Sequence, residues 1–342
     1  MIVDPVVRLL LPAVCRRALG RRPDVTQIER YVSDKQAIVV APELAARDLS
    51  TPVRRRLARG VVSRADRSVN LSERVLQCLG VGPSRAGVAA CRYVAETGRR
   101  PDGWIAAADP LLLEPMLDHV RVRASERNVD ADWVERVFAA LNDAFAGDYL
   151  FESVGTHGYI HGPEVPDLAR FPATQIIGEE LAQWLPPPVE SKVLHRLISE
   201  VQMILHTVNE DVNNTGMPNS LWLWGGGEAL VDSPALPTLY GDTAELLGLW
   251  RLNDAPVVRA TDGSETLADA LQRAQSTASA DTRRSNAVII ASAADVAKAC
   301  DDPWQFLSGL NRLHMLFGDG VTVALRSSDR FRIWRGKGGL EA

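Results

Sequence analysis

The chain has 342 residues, 46% of them hydrophobic and 24% charged, which is enough for about two domains of ~150 residues or one large α/β domain carrying an insertion. A formal net charge of −5 implies no domain-wide basic surface and argues against a nucleic-acid partner. No apolar run approaches the ~20 residues of a membrane helix, so no membrane partner is expected.

The opening reads as a buried strand over Val6–Val14. Asp4, Arg8 and the bulky Val14 argue against a lipoprotein signal ending at Cys15. A helix over about residues 25–32 and a strand over Ala37–Ala41 follow. Ser50-Thr51-Pro52 marks a helix start for Val53 to Arg59, ended by Gly60; a second helix runs from Ser72 to Gly80. Asp109-Pro110 closes an apolar stretch from Gly103, which suits a turn or a site carboxylate at a strand's end. Alternation over Leu117–Val122 predicts a half-buried strand. Asp130 caps a helix through Trp133, Val137, Leu141 and Phe145, closed by Gly147.

Short strands and turns fill residues 148–188. Val193, Leu197, Val201, Leu205 and Val208 then form the buried stripe of a helix over 189–208. That helix delivers an Asn-rich loop, Asn209 to Asn219, and the stretch Ser220-Leu-Trp-Leu-Trp-Gly-Gly-Gly227. In a strand, Trp222 and Trp224 share one face and Leu221 and Leu223 the other. Three glycines at its exit leave bare backbone N–H groups, a common way to hold an anion. Further on come a strand at Val257-Val258, a helix over Ser264–Ala278, a strand over Ala287–Ala291 and a helix over Pro303–Phe317. Strands over Val321–Leu325 and Phe331–Trp334 end the pattern, and residues 274–285 form a flexible loop. Strands alternating with helices predict a largely parallel sheet covered on both faces.

The four cysteines, Cys15, Cys78, Cys91 and Cys300, form no CxxC pair and read as reduced core residues of a cytoplasmic protein. The glycines are followed by no lysine and make neither a phosphate-binding P-loop nor a full dinucleotide fingerprint; there is no GxSxG. His157 and His161 would share a strand face, as a two-histidine metal site requires, but no third ligand is nominated. Asn209 and Asn219 each offer a donor and an acceptor, for stitching a loop or reading a ligand.

Gly103-Trp-Ile-Ala-Ala-Ala-Asp-Pro110, Glu200-Val-Gln-Met-Ile-Leu-His206, Asn219 to Gly227 and the late Phe331-Arg-Ile-Trp-Arg335 resemble the bacterial RpfE-type regulatory proteins, often labelled phosphoglycerate mutase. More distantly, the order Asp-Pro, Val-Asn, then Asn before an apolar strand and Gly-x-Gly is similar to archaeal-type cofactor-independent phosphoglycerate mutases. The resemblance implies an alkaline-phosphatase-like α/β fold with a smaller α+β inserted region. Residues 1–100 and 231–342 would then build the core and 101–230 the substrate side.

In that family the catalytic part uses a serine nucleophile and two divalent metals. This chain has no DGxGD-like opening, no Thr-Pro-Asn-Leu-Asp and no Asp-x-x-Gly-His, and Asn209–Gly216 contains no arginine. The expectation is therefore a pseudoenzyme, binding a small anionic metabolite or a protein partner in a regulatory role. Asp109, Asn209, Asn219, Gly225, Gly226 and Gly227 would shape the pocket, with no catalytic residue nominated and no cofactor expected. The competing expectations are an active metal-dependent enzyme, using a divalent ion such as manganese near His157 and His161, and a structural or interaction protein.

Overall fold

Strand β1 (Gln36–Ala41) is apolar on both faces and almost completely buried, which suits the centre of a sheet covered on two sides. A computed structural model of the protein places it there. The structure describes residues 36–65, 69–80, 86–125, 129–210, 216–230, 236–241, 243–258, 286–291, 296, 304, 307 and 310–332. The strand over Val6–Val14, the helices over 25–32 and Ser264–Ala278, the loop at 274–285, Cys15 and Cys300 lie outside these residues.

In chain order the described elements are β1, helix α1 (Thr51–Leu57), β2 (Val61–Arg64), α2 (Leu71–Leu79), α3 (Val88–Thr97), β3 (Ile105–Pro115), β4 (Val120–Arg123) and α4 (Ala131–Ala144). Then come β5 (Leu150–Val154), β6 (His157–His161), α5 (Lys192–Glu210), β7 (Ser220–Gly227), β8 (Thr238–Tyr240) and α6 (Ala244–Leu252). Strands β9 (Val257–Val258), β10 (Asn286–Ile290), β11 (Arg312–Phe317) and β12 (Val321–Leu325) complete the order.

The larger sheet runs β2-β12-β11-β1-β10-β8-β9. Five of its strands, β11, β1, β10, β8 and β9, are parallel, and β12 and β2 extend it antiparallel. One face packs Val39, Met315 and Phe317 against Val53 and Leu57 of α1. The other packs Ile38, Val40 and Leu316 against α2 and α6. Trp250 of α6 is fully buried there, with its indole N–H donated to the Pro237 carbonyl at 2.6 Å; burial of such a ring contributes about 2–3 kcal/mol. The fold is α/β with a largely parallel sheet covered by helices, as the alternation of strands and helices predicts.

Strands β3 to β7 form a second sheet, in which β3 pairs with β4, β6 and β7, and β5 forms the edge beyond β6. Ala106, Ala108, Ile160, Leu221 and Leu223 face α4 and α5. Ile105, Ala107, Tyr159, Trp222 and Trp224 face α3. The two tryptophans and two leucines of β7 therefore divide between faces as their alternation requires. The side chain of Asp130 accepts the Trp133 N–H at 2.7 Å and starts α4. Gly80 ends α2 in the left-handed conformation. Ser50 holds the cap position of α1, but its hydroxyl makes no capping bond.

Several expectations change. Residues Arg312–Phe317, read as the end of a helix, are the strand beside β1; a short continuous apolar run does not distinguish a buried strand from a buried helix. Phe331 closes a single 3-10 turn over Ser327–Phe331 rather than opening a strand. Asp109-Pro110 lies inside β3, not at its end. The proline is tolerated because β6 pairing stops at Ala108 and β4 pairing starts at Leu112, so no ladder N–H is needed between them. Asn209 belongs to the last turn of α5 rather than to a loop.

Candidate functional site

Helix α3 joins the two sheets. Cys91 and Val94 pack into the core of the larger sheet, while Val88, Ala89 and Tyr93 pack on the smaller one. The crossing with α6 is so close that a Cβ on Gly248 would lie 1.6 Å from the Cys91 carbonyl oxygen. Among the described residues no helix is long and apolar enough to cross a membrane.

A polar seam runs along the smaller sheet's α3 face. Arg92 Nη1 donates to both Asp109 oxygens, at 2.9 and 3.1 Å, and Arg92 Nε donates to Glu96 at 3.0 Å. The Trp224 indole N–H donates to Asp109 Oδ2 at 2.7 Å. The guanidinium also lies 5.5 Å from the Trp224 ring centre and 5.7 Å from that of Tyr159. Glu96 takes further bonds from His157 Nε2, at 2.9 Å, and from the Tyr159 hydroxyl. One turn of sheet away, Glu152 accepts from Tyr93, Arg99 and His161 Nε2.

These pairings set the protonation states. Burial alone would raise the Glu96 carboxyl, but the bonds from His157 and Tyr159 and the Arg92 charge hold it down to about 2. Burial disfavours the Arg92 charge, and Asp109 and Glu96 outweigh it, keeping Arg92 above its ordinary value. Burial lifts the Tyr159 phenol well above the usual range, and lowers His161 despite Glu152.

At one end of the seam the β3–β7 ladder slips. Ile105 pairs with Gly227 and Ala107 with Trp224, so Gly225 and Gly226 together oppose Ala106. Such a bulge leaves one residue out of the ladder. Gly225 has φ of 70°, and its N–H is donated to Ala169 O at 2.7 Å. Gly226 is exposed. A Cβ on Gly87, the residue before α3, would lie 2.6 Å from the Gly227 Cα, so the start of α3 rests directly on the glycine turn. The first turn of α3 carries no side-chain cap.

The residues nominated from sequence fall in four places. Asp109 is in the seam, and Gly225, Gly226 and Gly227 form the bulge roughly 13 Å along the same strand pair, at ~3.3 Å per residue. Asn219 is elsewhere: its amide bonds the Leu113 N–H and C=O, both at 2.8 Å, as a neighbouring strand would. Asn209 is buried in the opposite core, accepting the Trp133 indole N–H at 3.1 Å and donating to the Pro218 carbonyl at 2.9 Å. The two asparagines do not converge on the glycine turn.

His157 and His161 do share a face, but they are also roughly 13 Å apart along β6 and are bound to different carboxylates, Glu96 and Glu152. Among the described residues no group of three or more His, Cys, Asp or Glu side chains is placed to hold a metal. This donor set does not fit a divalent ion. Sequence reasoning missed Arg92, Glu96, Glu152 and Tyr159. Only the Arg92–Glu96 spacing of four on a helix was a readable signal.

No protein-family model matches the chain, and no curated protein matches it. Solved structures that align over most of its length include two of distinct description. One is the PH0037 protein from Pyrococcus horikoshii, 14% identical over 90% of this chain and 92% of that one, with a TM-score of 0.47. The other is the cofactor-independent phosphoglycerate mutase from Thermoplasma acidophilum DSM 1728, 15% identical over 86% of this chain and 90% of that one, with a TM-score of 0.39.

Proposed function

We propose that the chain is a phosphoglycerate-mutase-like protein of the cytoplasm that binds a small anionic metabolite at the glycine bulge of β7 and acts in regulation rather than in phosphoryl transfer. The observation that carries this reading is the bulge itself. Gly226 is exposed and lies where the ladder slips, and its neighbours Gly225 and Gly227 pack on the start of α3, which has no side-chain cap. A backbone N–H left out of the ladder at a bulge, next to the positive end of a helix, attracts carboxylate and phosphate groups. The RpfE-like motifs supply the ligand class, a phosphorylated small acid. The seam beyond the bulge favours binding over catalysis, because its histidines and carboxylates are already paired with one another.

A second reading takes the glycines as a packing junction only, and the contact of Gly87 on Gly227 favours it. Thermal shift with 3-phosphoglycerate and 2-phosphoglycerate separates the two. Binding predicts a raised melting temperature in the wild type and a smaller rise in Gly226→Ala, whose new Cβ meets the movable Trp104 ring at 2.8 Å. No rise in the wild type supports the packing junction. Interconversion of the two phosphoglycerates in the presence of manganese would instead establish an enzyme.

A further inference from the structure

Arg170 follows Ala169, whose carbonyl takes the Gly225 N–H at 2.7 Å, and the preceding Leu168 is the side chain a Cβ on Gly226 would meet at 3.2 Å. An arginine therefore leaves the backbone within a side chain's reach of the exposed bulge. Its guanidinium is 62% exposed and lies 3.0 Å from Glu73 Oε1 of α2, which is 18% exposed. Resting on the anion-binding reading above, we propose that Arg170 is the ligand-orienting residue of the bulge and that Glu73 holds its guanidinium aside until an anion displaces it.

Among the described residues, other arginines on α2 and α3 are committed. Arg92 is bonded to Asp109 and Glu96 between two aromatic rings, and Arg74 donates to the Phe317 and Val321 carbonyls and the Thr322 hydroxyl. Arg170 is held by an ion pair whose arginine side chain is 62% exposed, so its guanidinium faces solvent even though Glu73 is largely buried. The solvent-facing guanidinium can turn to a phosphate, whose oxygens accept its planar fork bidentately. Glu73 stays in place when the arginine leaves, because its backbone N–H is tied to Asn70 Oδ1 at 2.8 Å in the first turn of α2. Arg170 belongs to a loop packed on the smaller sheet and Glu73 to a helix of the larger one. Ligand binding thus exchanges an ion pair between the two parts of the molecule for a contact to the ligand. The class that fits is the phosphate monoester of a small organic acid.

Titration calorimetry with 3-phosphoglycerate tests this on the wild type, Arg170→Ala, Arg170→Lys and Glu73→Gln, with near-ultraviolet circular dichroism confirming each fold. The expected result is a roughly tenfold or greater loss in Arg170→Ala, a partial loss in Arg170→Lys and a few-fold gain in Glu73→Gln, where the competitor is gone. Wild-type binding that Arg170→Ala leaves unchanged overturns the role of Arg170 alone. Binding that weakens in Arg170→Ala and is not tightened in Glu73→Gln overturns the holding role of Glu73. Absence of binding to the wild type overturns the anion-binding reading itself.

Discussion

Asp109 joins three elements: its carboxylate takes Arg92 from α3 and the Trp224 indole from β7 while its backbone belongs to β3. Asp109→Asn keeps the shape and leaves the largely buried Arg92 charge with Glu96 as its remaining carboxylate. A loss of about 2–3 kcal/mol in urea unfolding is expected. Acid titration reads the rest of the seam. The Glu96 carboxyl is depressed to about 2 from a model-peptide value near 4.5, so its contribution is complete above pH 4.5 and is lost as the pH falls toward 2. Glu96→Gln removes that slope. His314 gives a second window.

It is 7% exposed on β11, and burial first, then Arg312 and Arg326, lower it to about 4. A depressed histidine stabilises the fold above pH 6.5 and withdraws that contribution between pH 6.5 and 4. Unfolding free energies measured across that window should fall in the wild type and stay flatter in His314→Leu. The long-range pairings were not legible in the sequence, because Arg92 and Asp109 are 17 positions apart and Glu96 and His157 are 61 apart. Side-chain chemistry at that separation is set by the fold.

At the scale of elements, the 3.6-residue stripes of α4 and α5 were readable because each helix buries one defined face, and β7, buried on both, was readable from its strict Leu/Trp alternation before three glycines. Strand β11 was not, since burial on both faces removes the alternation that separates strand from helix. Glycine contacts were equally hidden, since they depend on which backbone passes nearby. They predict an order of damage. Gly248→Ala drives a Cβ to 1.6 Å from the Cys91 carbonyl and Gly87→Ala to 2.6 Å from Gly227, whereas Gly98→Ala meets open space and only backbone strain at φ of 70°. Melting temperatures should fall most for Gly248→Ala, next for Gly87→Ala, and by about 1 kcal/mol equivalent for Gly98→Ala.

Strand β5 is an outer edge, and Asn142 of α4 bonds both the N–H and C=O of Phe151, at 2.7 and 2.9 Å. The amide acts as a short false strand, the device Asn219 uses on Leu113. Asn142→Ala should therefore increase light scattering at high protein concentration more than it lowers the melting temperature.

For the whole molecule, the order of strands and helices was enough to expect an α/β fold with a parallel sheet, and composition was enough to expect a sizeable core. The second sheet and its junction through α3 were not readable in detail, since they depend on residues brought together from both ends of residues 86–228. That junction places an exposed glycine bulge, an uncapped helix start and a displaceable arginine at one surface. The most direct measurement is the phosphorus NMR spectrum of 3-phosphoglycerate with the wild-type protein and magnesium in one tube. Binding without chemistry predicts a broadened or shifted 3-phosphoglycerate resonance with no growth of a 2-phosphoglycerate signal. A sharp, unmoved resonance, or a growing signal from 2-phosphoglycerate, would contradict it.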